Sequence, residues 1–559
     1  VLEPLMSPAS PDVALARRQS LADLLRRSAR RHPGRLAVAD AAQSQTAQSQ
    51  TAQSQTAQSQ TAQSRTYAEL DEDVTRVAGA LIARGVRPGD RVAVLSRNSV
   101  DYVRTIFGVA RAGAVLVPVN FMLGADEIAY VLSHSGAVAL IAQDALLPVA
   151  RDAAKQADGL RLRLVYGPAP EEGWEPFDAL LRGDAAEPVV PIGPDDPAQI
   201  LYTSGTESRP KGAVLSHAAL IAQYASCVID GGMTRDDVEL HAMPLFHCAQ
   251  QHCFLVPDIQ LGASSHILPG ADPAAVLEAI ERHGVTKFFA PPTVWISLLR
   301  HPDFDRRDLS SLRKGYYGAA IMPVEVLREI GERLPDVRLW NFYGQTEMAP
   351  VAVMLQPEDQ IRKAGSAGQA ALNVETRVVD ADGDDVAPGE IGEIVHRSPH
   401  AILGYLDDPE KTDEAFRGGW FHSGDLGVMD EEGYLTVVDR IKDMIKTGGE
   451  NVASREVEEV VYEHPAVAEV AVVGVRHPSW IEAVVAIVVT KPGVTVTEEE
   501  LRAHVRARLA AFKVPKAVAF VDALPKNPSG KILKRELRDR HAALADRIPG
   551  VRVPGRQEG

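Results

Sequence analysis

Apolar positions recur along this chain with two periods, and the two alternate. In residues 21–30 (LADLLRRSAR), Leu21, Leu24 and Leu25 fall on one face of a helix. Residues 36–39 (LAVA) read as a short strand. Residues 67–84 carry Leu70, Val74, Val77 and Leu81 at helical spacing. A strand over 91–95 (RVAVL), a small-residue helix over 103–112 and a buried strand over 114–119 (AVLVPV) follow. Residues 137–142 and 163–166 continue the rhythm. Strands alternating with helices predict an α/β fold: a large N-terminal domain of parallel-rich sheets with helices packed outside.

The pattern restarts near the end of the chain. Residues 456–463 read as a helix, 467–475 and 484–489 as strands, and 498–509 as a helix. That is a second, small α/β unit, with a boundary between Asp439 and Lys442. The expected division is 1–440, then 441–545, then a disordered tail over 546–559.

One segment has no hydrophobic period. AQSQT repeats over residues 42–61, and a last unit at 62–66 reads AQSRT. Without the repeats the chain reads AVADAAQSRTYAELDE, an ordinary strand-to-helix join. The tract is too polar to bury, so residues 42–66 are expected to be a low-complexity loop insertion. A Gln-rich interaction tag is the other reading.

The polar breaks between elements hold the chemistry. Residues 202–212 read YTSGTESRPKG between apolar Ile200-Leu201 and Ala213-Val214-Leu215. They offer the hydroxyls of Thr203, Ser204 and Thr206, the flexible backbone of Gly205 and the cation of Lys211. Amides, hydroxyls and a lysine all donate to anionic oxygens, which suits a polyphosphate. A Ser/Thr-rich surface turn has the same composition. The spacing is not that of a P-loop. Residues 241–253 (HAMPLFHCAQQHC) mix histidine and cysteine, but their intervals match neither a zinc finger nor a zinc ribbon.

Further along come KGYYGAAIMP at 314–323, NFYGQTE at 341–347, FHSGD at 421–425, DRIKDMIKTGGENV at 439–452 and LPKNPSGKI at 524–532. With the loop at 202–212, and in this order, they resemble the motifs of the adenylate-forming superfamily. That superfamily includes acyl-CoA synthetases, luciferases and peptide-synthetase adenylation domains. The resemblance runs over about residues 21–540 and looks closest to bacterial fatty-acid or aryl-acid CoA ligases.

The resemblance implies a role for each motif. Thr203, Ser204, Gly205, Thr206 and Lys211 would form the phosphate loop. Gly318, Ala319 and Ala320 would abut adenine and the substrate. In the YGQTE turn, Tyr343 would stack on adenine beside Gly344, and Thr346 would donate to phosphate. Glu347, with Thr206, would hold magnesium through oxygen. Asp425 would accept two ribose hydroxyls, and Arg440 would add a donor. His247 would form a wall of the acid pocket, with Gln250, Gln251, His252 and Cys253 beside it. Lys531, on a mobile loop, would bond the acyl and ribose oxygens. A swing of the small domain about Lys442 would then bring Lys446, Gly448 and Gly449 to form a tunnel for a thiol. Lys531, Glu347, Thr206 and His247 are thus the expected catalytic residues. Read singly, Asp425 is a turn or cap residue, His247 a core histidine and Lys531 a solvated loop lysine.

The reaction implied has two halves. An acid oxygen attacks the α-phosphorus of ATP and expels pyrophosphate. The thiol of CoA then attacks the acyl-adenylate. Small, polar residues near His247 favour a compact or aromatic acid over a long aliphatic one. Two departures keep other acceptors open. Glu207 and Ser208 replace the family's Thr-Gly pair, and Ile481, within PSWIEAV, takes a glycine position. The second reading is therefore a diazotase that activates nitrite and couples it to an aryl amine. A third is a nucleotide binder without turnover, against which Lys211, Glu347, Asp425, Arg440 and Lys531 count.

Composition narrows the partners. The 559 residues are 45% hydrophobic and 24% charged, too long for one typical domain. A net charge of −16 excludes non-specific nucleic-acid binding. No run is long and apolar enough to span a bilayer, and residues 1–20 lack a secretory apolar core. Three cysteines make no disulfide framework, so a cytoplasmic enzyme is expected. Monomer and homodimer both remain open.

Overall fold

A computed structural model describes residues 11–41, 63–167, 173–184, 186–203, 210–320, 322–447, 450–526 and 532–548. The repeats at 42–61, Ser204, Gly205, Thr206, Glu207, Ser208, Gly448, Gly449, Lys531 and the tail beyond Ile548 lie outside the described residues.

Strands from the first half of the chain, edged by Gly404–Tyr405 from further along, build an eight-stranded sheet. Arg91–Leu95 lies between Val115–Val119 and Ala137–Gln143, parallel to both. Helix Tyr67–Ala83 begins at a capping box in which Thr66 and Glu69 exchange hydrogen bonds. It buries Leu70, Val74, Val77 and Leu81, the residues its periodicity singles out. It packs on helix Val100–Arg111, where a side chain at Gly108 would sit 2.4 Å from Val77 Cγ1. That second helix starts earlier than its apolar residues predict, because the Ser99 hydroxyl caps Tyr102 N and draws a polar first turn into the helix.

The second half of the large domain, with Leu36–Asp40 and Ser64–Thr66 at one edge, forms a nine-stranded sheet. Val238–His241, Lys287–Phe289, Lys314–Gly318 and Arg338–Tyr343 run parallel as neighbours. Parallel strands end on the same side. The segments HAMPLFH, GAA and YGQTE therefore leave one edge of this sheet together, where open α/β sheets bind ligands. A four-stranded antiparallel sheet follows. Its strands Phe421–Met429 and Leu435–Arg440 set Asp425 directly opposite Arg440.

Strand pairing changes sheet between Arg440 and Ile445. From Ile445 onward the strands form a separate five-stranded sheet around the antiparallel pair Val467–His477 and Ile481–Thr490. This sheet has its own core of Val457, Val472, Ala486, Val488, Leu501 and Val505. The two parts touch near the crossing. The Asp439 carboxylate accepts from Ser454 N at 2.6 Å and Ser454 Oγ at 2.8 Å, and Arg455 donates to the Val437 carbonyl.

The repeat is inserted in a closed hairpin. Leu36–Asp40 pairs antiparallel with Ser64–Thr66. Asp40 N donates to the Gln63 carbonyl at 2.8 Å, and Gln63 N donates to Asp40 Oδ2 at 3.1 Å. Among the described residues no helix is long and apolar enough to cross a membrane.

Candidate active site

Lys211 opens the strand Lys211–Ser216, which pairs antiparallel with Pro197–Thr203 and places Lys211 opposite Thr203. Both ends of the predicted phosphate loop are therefore held by one ladder. The Lys211 ammonium lies over the ring of Tyr405, 4.9 Å from its centroid. The Tyr405 hydroxyl donates to Glu347 Oε1 at 2.8 Å. Among the described residues no other side chain hydrogen-bonds that carboxylate, so Oε2 stays open to a cation. Tyr405 is a site residue that the sequence reading missed.

Asp425 sits beside this cluster, with its side chain 6% exposed. Its Oδ2 accepts from the Tyr343 hydroxyl at 2.8 Å and from Gln345 Nε2 at 3.0 Å. Burial first, and then the Asp425 charge, push the Tyr343 phenol well above its ordinary range, so it stays protonated and donates. Arg440 Nε lies 3.0 Å from Asp425 Oδ1, without the alignment of a hydrogen bond. Among the described residues Oδ1 is thus a buried acceptor with no hydrogen-bond donor, the kind of atom a ligand hydroxyl satisfies.

Small residues line the same sheet edge for packing reasons. A side chain on Gly318 would lie 2.5 Å from the Phe342 carbonyl oxygen, and one on Gly344 would lie 2.0 Å from that of Pro350. Ala319 takes a left-handed backbone (φ 64°), and it and Ala320 are exposed at the strand end.

Thr346 Oγ1 lies 3.3 Å from Cys248 Sγ, which joins the YGQTE turn to the HAMPLFHC segment. Burial pushes the Cys248 thiol up to about 11, so it remains a neutral neighbour. His247 Nδ1 accepts from Ala249 N at 3.3 Å, which orients the ring. Residues Ala249–Leu255 then form a π-helix, a widened turn found often at functional sites. Gln250, Gln251 and His252 point into the core rather than into a pocket. Gln250 meets His241 Nδ1 at 2.8 Å, while Gln251 and His252 both bond Gln199. Their polarity is spent internally and says little about the acid.

Lys446 is exposed on Ile445–Thr447, with no hydrogen bond or ion pair to the Lys211–Glu347–Asp425 cluster among the described residues. A different cluster has metal-ligand character: Glu239, His241 and Asp258, all buried. There the Lys287 ammonium supplies the positive charge, 2.8 Å from Glu239 Oε2 and bonded to Asp258 Oδ1.

The AMP-binding enzyme family matches residues 25–406, and its C-terminal domain matches residues 456–531. A feruloyl-CoA synthase of an Amycolatopsis species is 41% identical over 475 residues, covering 85% of this chain and 94% of that protein. The chain belongs to the AMP-binding enzyme family. As a member it is an AMP-forming ligase. Among solved structures, the anthranilate CoA ligase AuaEII in complex with anthranoyl-AMP superposes with a TM-score of 0.85 at 28% identity, over 95% of this chain and 99% of that one. The amide bond synthetase McbA from Marinactinospora thermotolerans superposes with a TM-score of 0.81 at 31% identity, over 93% and 99%.

Proposed function

We propose that the protein activates an aromatic or similarly compact carboxylic acid with ATP and passes the acyl group to CoA. The observation that carries this reading is the convergence of Lys211, Glu347 and Asp425 through Tyr405, Tyr343 and Gln345. Lys211 and the loop hydroxyls would hold the polyphosphate. Asp425, with its unsatisfied Oδ1, would take the ribose hydroxyls, and Arg440 would add a donor beside it. Thr346 would donate to the α-phosphate, and His247 would wall the acid. Magnesium, held by Glu347 Oε2 and Thr206, would neutralise charge on the phosphates. Gly318, Ala319, Ala320 and Gly344 would abut the adenine and the substrate. The feruloyl and anthranoyl groups named for the relatives support an aromatic acid.

The small sheet is the mobile part in this reading, turning about Lys442 within a division at 440/441. Lys526 and Ile532 pair across their loop, which would present Lys531 for adenylation. Lys446, Gly448 and Gly449 would then serve the thiol. The enzyme would work in the cytoplasm.

One observation favours a second reading, an amine or diazo-forming acceptor step. Ile481, beside Thr447, is 64% exposed and has φ 67°, a conformation that costs a β-branched residue energy. An apolar side chain forced outward there changes the surface that the acceptor meets. Pyrophosphate release with a panel of aromatic acids, and separately with nitrite, each without CoA, tests activation. Adding CoA, then an amine, then nitrite with an aryl amine, identifies the acceptor. No release with any carboxylic acid or with nitrite would end both readings.

A further inference from the structure

Tyr405 stands between the two groups on which polyphosphate binding depends, and it touches each with a different part of its side chain. Its ring face meets the Lys211 ammonium at 4.9 Å, and its hydroxyl meets Glu347 Oε1 at 2.8 Å. An aromatic face attracts a cation and a phenol donates to a carboxylate, so both contacts are favourable. The backbone fixes the same arrangement. Gly404–Tyr405 pairs with the lysine's own strand at Ala213 and Val214, and Leu406 N donates to the Gly212 carbonyl. Three residues earlier, Ile402 N donates to the Glu347 carbonyl at 3.0 Å. Tyr405 N is held by Thr412 Oγ1 at 2.9 Å.

A lysine and a glutamate that share one tyrosine are opposite charges that attract, and without the side chain between them they could pair with each other. Each would then be lost to the ligand. Among the described residues Lys211 has no ion pair, and Glu347 pairs only with the phenol. We propose that Tyr405 is a positioning residue that keeps Lys211 and Glu347 apart, so that one serves the phosphates and the other the cation.

The inference rests on the adenylation reading. Its test reads nucleotide binding by calorimetry, which needs neither the acid nor the acceptor. Tyr405→Phe keeps the ring and loses the donor; Tyr405→Leu loses both. Tyr405→Phe is expected to bind ATP without metal as the unaltered enzyme does, but to need about tenfold more Mg2+ for its metal-dependent gain. Tyr405→Leu is expected to weaken metal-free ATP binding as well, by about fivefold. Combining Tyr405→Leu with Lys211→Met should then add almost nothing to Lys211→Met alone. Unchanged metal and nucleotide binding in both variants overturns the proposal. So does full additivity with Lys211→Met, or a shift confined to the KM of the acid. Should Tyr405→Leu fail to fold, the Mg2+ dependence of Tyr405→Phe decides. If the unaltered enzyme binds no ATP, the adenylation reading itself has failed, which is a separate result.

Discussion

The Lys287 ammonium lies 2.8 Å from Glu239 Oε2 in the nine-stranded sheet, and both side chains are fully buried. Asp258 and His241 complete the group, and Gln250 ties it to the π-helix. Lys287→Met would leave two carboxylates without a cation in the core. A loss of about 3–5 kcal/mol is expected, read as a lower urea midpoint for the large domain. Near-normal stability would mean that the carboxylates neutralise themselves by holding protons.

Two buried histidines predict acid sensitivity. Burial pushes His217 down to about 4 and His252 down to about 3. Leu21 N donates to the neutral His217 ring, and the Tyr224 hydroxyl and Gln199 Oε1 bracket His252. In the unfolded chain each titrates near 6.5. Above that pH neither affects stability. As pH falls from about 6.5 toward 4, only the unfolded state takes up the protons, so each histidine costs up to about 1.4 kcal/mol per pH unit. Urea midpoints measured across this window should fall, and His217→Asn should make the slope shallower. An unchanged slope would assign the acid sensitivity to other groups.

The pair Tyr343 and Asp425 separates two effects on the nucleotide. Asp425→Ala removes the orphan acceptor and should raise the KM of ATP by about 10–100-fold. Tyr343→Phe keeps the ring and removes one of the donors that orient the carboxylate. A rise of about two- to fivefold is expected, with the KM of the acid unchanged. Equal effects of the two variants would show that Tyr343 acts on the ligand directly.

Ile481 carries a backbone conformation that suits glycine. Ile481→Gly should relieve about 1–2 kcal/mol of strain and return about 0.5–1 kcal/mol through unfolded-state freedom. A small net rise in the melting temperature of the C-terminal part is expected. If CoA is the acceptor, its KM should fall while pyrophosphate release stays unchanged. No change with CoA, together with a change for an amine, would favour the second reading.

Local patterns made much of this legible. The apolar spacing in 67–84 marks the helix that buries Leu70 to Leu81, and the hairpin around Lys211 follows from apolar runs flanking a polar loop. The substitution at Ile481, visible as a missing glycine, coincides with a left-handed backbone. Long-range partnerships were hidden. Tyr405 is 58 residues from Glu347 in sequence, and nothing in GYLDDP marks it. Gln250, Gln251 and His252 read as pocket polarity because their partners, Gln199 and His241, lie on strands that sequence spacing does not bring together.

The hairpin at Asp40 and Gln63 closes on itself on the near side of the AQSQT tract. Deleting residues 42–61 should therefore leave melting temperature and pyrophosphate release unchanged, since loop length enters stability only logarithmically. A drop in either would give the tract a structural duty. With both preserved, the enzyme offers its users a ready port: a fluorophore, an affinity handle or a cleavage sequence can be spliced there without disturbing the fold.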